Sequence, residues 1–174
     1  MIKLNEVIVK TENIAKEFSG VRVLDDINIE IKKGEIFGII GENGAGKSTF
    51  IKILNGIYKQ TEGKVFFEGQ KVEMDVQKAK RIGINTIPQE FNLINDLNVY
   101  ENIFLGKEYQ KNRFLLDKEK MRAETNKFLT KLDTEIDPNE KISNLSVAEK
   151  QMVEIAKAIA YNSKLLIMDE PTTV

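Results

Sequence analysis

No cysteine and no histidine occur among the 174 residues. The first absence excludes disulfides and thiol catalysis. A reducing compartment is compatible with it without being required. The second excludes imidazole acid–base work and imidazole–metal sites within this chain. Charge of one sign is also missing: 26 basic residues meet 27 acidic ones, for a net charge of −1. No global field therefore draws the chain to nucleic acid or to an anionic membrane. No apolar run approaches the roughly 18 residues of a membrane span. The start, Met1-Ile2-Lys3-Leu4-Asn5-Glu6, carries an acid early and is expected to be neither signal peptide nor anchor. Membrane association is then expected to go through a partner. Repeats, low-complexity tracts and flexible linkers are absent as well.

What is present is ordinary globular composition, 41% hydrophobic and 30% charged, enough for one domain. Over residues 7–32, Val7, Val9, Val21, Val23, Ile27, Ile29 and Ile31 interleave with polar residues around a Ser19-Gly20 turn. This predicts antiparallel strands with one wet face. Lys32-Lys33-Gly34 predicts a second turn, and Gly63 to Gly69 another short strand. Residues 75–82 predict a helix stopped by Gly83. Ile84-Asn85-Thr86-Ile87 predicts a strand cut off by Pro88.

From about 98 to 162 the pattern turns helical. Val99, Ile103 and Phe104 share a face, and Met121, Phe128, Leu129 and Leu132 recur at helical spacing before Asp137-Pro138. Ser146-Val147-Ala148-Glu149 reads as a capping box. The helix it opens is expected to bury Met152, Ile155, Ala156 and Ile159. Leu165-Leu166-Ile167-Met168 reads as a strand buried on both faces. The order predicts an α/β core with an inserted, mainly helical subdomain.

Gly41-Glu42-Asn43-Gly44-Ala45-Gly46-Lys47-Ser48-Thr49 fits the phosphate-loop pattern G-x-x-x-x-G-K-[ST]. Ile36-Phe37-Gly38-Ile39-Ile40 before it is expected to be a buried strand, and Phe50-Ile51-Lys52-Ile53-Leu54 after it a helix with Gly56 as its stop. Gly41, Gly44 and Gly46 let the backbone turn tightly and bring its N–H groups near a polyphosphate. The helix N-terminus adds partial positive charge. Lys47 is expected to reach the β- and γ-phosphates and the Ser48 hydroxyl to ligate Mg²⁺. A glycine-rich turn without ligand is the plainer alternative. At the carboxyl end of the second apolar run, Asp169 is placed to hold the Mg²⁺ shell and Glu170 to orient and deprotonate an attacking water. Paired acids there also suit a helix cap or a solvated turn.

Several motifs in one order now coincide, and the chain resembles the ATP-binding cassette ATPases over residues 6 to 173. Gly41 to Ser48 resembles the Walker A loop and Leu165 to Glu170 Walker B. Leu145-Ser146-Val147-Ala148-Glu149-Lys150-Gln151 is similar to the signature motif, with Val147, Ala148 and Glu149 departing from the common Leu-Ser-Gly-Gly-Gln. The resemblance implies that Gln89 touches Mg²⁺ and senses a transmembrane partner, and that Phe18 stacks on adenine, which needs only a flat π face. Read alone, Phe18 is equally a core aromatic and Gln89 a surface loop residue. It also implies that Ser146 and its helix N-terminus face a γ-phosphate. The run from Leu145 through Ile159 is similar to that of the simple-sugar importers for ribose, galactose and xylose, where two cassettes are fused.

The resemblance implies a P-loop NTPase fold with an antiparallel β subdomain and an inserted α-helical subdomain. About 1–97 and 163–174 would form the core and about 98–162 the helical part. The implied function is ATP binding and hydrolysis powering sugar import, with ATP and Mg²⁺. The implied partners are permease subunits, a second cassette and, indirectly, a sugar-binding protein, with no nucleic acid. The implied location is the cytoplasmic face of the membrane. A regulatory cassette not coupled to transport is the second reading. A small-molecule kinase would leave Glu170 and the signature helix without a role. The same resemblance places a further strand and a switch histidine after Val174. On that ground the 174 residues are expected to be an incomplete cassette that neither folds stably alone nor turns over ATP.

Overall fold

The computed structural model describes residues 6–88, 91–161 and 163–169. It divides into two compact units, Met1–Ile84 and Asn85–Val174.

The first unit is built on a four-stranded antiparallel sheet. Strands β1 (Val7–Phe18) and β2 (Val21–Lys32) pair around the Ser19-Gly20 turn, as their alternation predicts. Strand β3 (Glu62–Phe67) pairs with the other edge of β1, and β4 (Gln70–Val72) follows a tight turn, giving the order β2-β1-β3-β4. The β1–β2 ladder shifts register at four places, one of them at Asn13. Asn13 takes φ 51, and the register of β1 shifts between Thr11 and Ile14. An extra residue in one strand moves the following side chains to the other face. That is how Val9, Thr11 and Ile14 all come to be buried. The bulge is held by Asn28 Oδ1, which accepts from the Asn13 N–H at 2.8 Å. Opposite it lies Gly63. A methyl there would meet the Glu12 carbonyl oxygen at 2.5 Å, so only glycine fits.

Helix α1 (Lys47–Leu54) buries Phe50, Ile51, Ile53 and Leu54. Helix α2 (Val76–Ile82) starts at Asp75, whose carboxylate accepts from the Lys78 N–H, and stops at Gly83 in the left-handed region. Both ends are the ones expected from the residues themselves.

In the second unit, β5 (Ile84–Ile87) pairs with the last described strand, β8 (Leu165–Met168). Between them run helix α3 (Val99–Ile103), a small hairpin of β6 (Gln110–Asn112) and β7 (Leu115–Leu116), helix α4 (Lys118–Lys131) and helix α5 (Val147–Ala160). The three helices close on one core that includes Val99, Tyr100, Ile103, Met121, Leu129, Ile142 and Val153. Each such side chain contributes about 1.5–3 kcal/mol by leaving water. Hairpin β6–β7 and strand β4 were not expected. Elements of two or three residues carry no period to read.

Three expectations are corrected. Ile36 to Ile40 form no strand, and Ile36 and Ile40 are fully exposed. An apolar run becomes a strand only when a neighbour accepts its ladder, and among the described residues no strand pairs with it. Strand β8 forms where expected but is not buried on both faces: Met168 is 43% exposed. Among the described residues its only ladder partner is β5. Finally, the buried stripe of α5 is rotated from the expected one. Val153 and Ala156 enter the core with Met152 and Ala160 beside them, while Ile155 and Ile159 are half-buried.

Candidate functional site

The first unit carries the glycine loop. Gly44 and Gly46 take φ 85 and φ 88, the left-handed region that side chains disfavour. A methyl on Gly46 would lie 2.6 Å from Leu24 Cδ2 and 3.0 Å from the Val23 carbonyl oxygen. The loop is therefore pressed against β2 at that point. The Ala45 N–H donates to the Glu42 carbonyl at 3.1 Å, and the Phe50 N–H to Gly46 at 2.9 Å, so the helix begins on the last glycine. Lys47 folds back over the loop, donating to the Gly41 carbonyl at 2.6 Å and to Glu42 at 2.9 Å. Glu42, Asn43, Ala45 and Ser48 are exposed, and Thr49 is half-buried.

The N-terminus of α1 is left open. Gly46 offers no side-chain cap, and no acid stands in the first turn. Helices α2, α4 and α5 start otherwise. Asp75 caps α2, Asp117 caps α4, and Ser146 with Glu149 forms a reciprocal box on α5. The first N–H groups of α1 have no intrahelical acceptor. They point, with the helix dipole behind them, to where an anion would be held. A recess of about 300 Å³ is lined by Ala45, Gly46 and Lys47 of the loop and otherwise mainly by apolar side chains such as Ile27, Ile29 and Phe50. Its apolar walls do not suit phosphate.

Phe18 ends β1 and is 37% exposed. Lys16 Nζ stands 4.7 Å from the ring centroid, and Tyr58 meets the ring edge-on at 5.2 Å.

The second unit carries Asp169 and helix α5, whose start resembles the signature motif. Asp169 follows β8 and its N–H donates to the Ile87 carbonyl at 3.1 Å, so the end of β5 fixes its backbone. Gln89 and Glu170 lie outside the described residues. At α5, Ser146 Oγ and the Ser146 N–H both donate to Glu149 Oε2, at 2.7 and 2.8 Å, and Oγ accepts from the Glu149 N–H at 3.3 Å. These bonds, from the hydroxyl first and the amide second, hold the Glu149 carboxyl below its ordinary range. The Glu149 carboxylate thus already sits at the start of this helix.

Two polar residues of the second unit went unread in the sequence. Glu154 is 5% exposed, and its Oε1 accepts from the Asn92 N–H at 2.6 Å. Asn102 is fully buried. It accepts from the Ile94 N–H at 2.8 Å and donates to the Ile94 carbonyl at 3.1 Å and that of Asn98 at 3.2 Å. The available signal was a polar residue inside an apolar stripe: Glu154 beside Val153, Asn102 beside Ile103.

Comparison with known proteins decides the family, because the family model for the ABC transporter matches residues 24–173, most of the chain. The chain belongs to the ABC transporter family. Its ABC relatives include the galactose/methyl galactoside import ATP-binding protein MglA of Clostridium perfringens, 46% identical over 167 residues. That match covers 95% of this chain and 32% of the relative. The ribose import ATP-binding protein RbsA of the same species is 45% identical over 168 residues, covering 95% and 34%. The chain thus spans about a third of the length of the curated relatives it matches. Among solved structures, the ADP conformation of MJ1267, an ATP-binding cassette of an ABC transporter, superposes with a TM-score of 0.83 at 31% identity, over 96% of this chain and 70% of that one. A dimeric post-hydrolysis state of the ATP-binding cassette MJ0796, bound to ADP and Pi, gives 0.76 at 31%, over 95% and 75%. The fold is the ABC ATPase cassette, a mixed α/β P-loop core with an antiparallel sheet.

Proposed function

We propose that this chain is the nucleotide-binding motor part of an importer for a simple sugar, binding ATP and contributing to its hydrolysis. The observation that carries the proposal is the uncapped N-terminus of α1 behind two left-handed glycines, in a chain that caps α2, α4 and α5 with side chains. Residues Gly41 to Thr49 would cradle the phosphates, with the Lys47 ammonium moving from the loop carbonyls to phosphate oxygens. Ser48, Asp169 and Gln89 would hold Mg²⁺, which would supply charge neutralisation to the phosphates. Their hard oxygen donors suit that ion.

Water attacks the γ-phosphorus, the bond to the β-phosphate oxygen breaks, and ADP and inorganic phosphate leave. Glu170 takes the proton of the attacking water. Phe18 stacks on adenine through the part of its ring left open. Ser146, at the start of α5, faces the nucleotide of a second cassette. About 1–97 and 163–174 act as the core and about 98–162 as the helical subdomain. The names of the relatives support import of a sugar, hence permease subunits and a sugar-binding protein as partners, and a peripheral position on the cytoplasmic membrane face. No helix among the described residues is long and apolar enough to cross a membrane.

Calorimetric titration with ATP and Mg²⁺, on the complete protein and on its Lys47→Ala form, tests the reading. Saturable binding that the substitution weakens about tenfold or more is expected. Equal binding by both forms would overturn it.

A further inference from the structure

The stretch after Gln89 is gripped by the signature helix. Glu154 and Lys157 stand one turn apart on α5, where residues at this spacing share a face. Glu154 Oε1 accepts from the N–H of Asn92 at 2.6 Å, and Lys157 Nζ donates to the carbonyl of the same residue at 3.1 Å. Both backbone polar groups of one residue are thus held by one helix. Two more bonds follow from the lead-in to α5. The Ser143 N–H donates to Asn95 at 3.1 Å, and the Ile142 N–H to Leu97 at 3.1 Å.

A side-chain carboxylate that is 5% exposed is expensive to place there for packing alone. Its short, charge-assisted bond to a backbone N–H is of the strong kind. Valine or alanine would fill that face of the stripe without the penalty. What the acid adds is a fixed point at Asn92, ahead of the residues that Asn102 and the Ile142–Ser143 backbone hold.

We propose that Glu154 and Lys157 are positioning residues that lock the stretch following Gln89 to the signature helix, so that a displacement of one is passed to the other. This rests on reading the chain as an ATPase cassette. Gln89 would then report on its nucleotide to the Ser146 helix through three covalent links and the Asn92 clamp.

The test compares the complete protein with its Glu154→Ala, Glu154→Gln and Lys157→Met forms by amide hydrogen exchange and by ATP turnover. In Glu154→Ala, exchange at residues 91–97 should rise about tenfold or more, the effect of losing one hydrogen bond to a charged group. Exchange in the α4 core around Met121 should stay unchanged. Nucleotide affinity should hold while kcat falls by a similar factor. Glu154→Gln keeps an oxygen acceptor and should restore most of both. Lys157→Met removes only the bond to the Asn92 carbonyl and guards against a Glu154 variant that fails to fold. Its exchange and kcat should move the same way. Unchanged exchange at 91–97, or raised exchange with unchanged kcat, would overturn the clamp. If the unsubstituted protein hydrolyses no ATP, the functional reading falls, and the exchange result alone decides whether the stretch is locked.

Discussion

Lys47 Nζ lies 2.6 Å from the carbonyl oxygen of Gly41, the residue that opens its own loop. With Glu42 as the second acceptor, the ammonium closes the loop on itself and is held close to where phosphate oxygens would compete for it. Lys47→Ala should weaken nucleotide binding by about tenfold or more, the scale of a lost charge-assisted bond. Thermal stability should change little, because the side chain is only half-buried. Titration calorimetry and a melting curve measure the two effects separately.

Gly46→Ala should damage both. The new Cβ would force φ 88 on an L-residue and press on Leu24 and the Val23 carbonyl. Backbone strain of this kind costs about 1–3 kcal/mol. A urea titration should show the loss as a lower midpoint at unchanged slope.

The capping box of α5 should respond to acid. The Ser146 hydroxyl, then its N–H, lowers the Glu149 pKa from its ordinary 4.5. A carboxyl with a depressed folded-state pKa stabilises the fold at pH above 4.5, and that contribution fades as pH falls below it. Glu149→Gln should therefore flatten the acid side of the stability profile, followed by circular dichroism at falling pH. Ser146→Ala should cost about 1 kcal/mol at neutral pH, as lost N-caps do.

Thr125 supplies a test with the opposite sign. Its side chain is fully buried in the α4 face, and its hydroxyl has no hydrogen-bond partner among the described residues. Thr125→Val keeps the shape and removes the unsatisfied oxygen. It should leave stability unchanged or raise it by about 1 kcal/mol. Differential scanning calorimetry reads this directly, and a large loss would mean that the hydroxyl has a partner.

On the proposed reading, hydrolysis would turn on Glu170. Glu170→Gln in the complete protein should retain ATP binding and lose turnover. Phosphate release assayed beside nucleotide binding checks it, and undiminished turnover would remove Glu170 from the role of base.

Much of this was legible wherever the signal is local. Asp75 and Gly83 bracket α2, and Ser146 with Glu149 announces α5, because caps are chosen by residues three apart or fewer. The left-handed turns of the glycine loop were legible for the same reason: they depend on consecutive backbone groups. The run Ile36 to Ile40 misled, because its hydrophobicity states a preference while its ladder depends on strands far away in sequence. Glu154 stayed hidden because its partner is a backbone N–H distant along the chain, which carries no side-chain code.

The open stretch before the loop has a consequence for ligand affinity. Ile36 to Ile40 lead straight into Gly41, and among the described residues no ladder fixes their height or direction. Whatever neighbour zips onto them would set the launching point of the phosphate cradle. By mass action, a nucleotide that prefers the seated loop would in turn favour the zipped form. Affinity for ATP would then serve as a gauge of how fully the surrounding sheet has assembled.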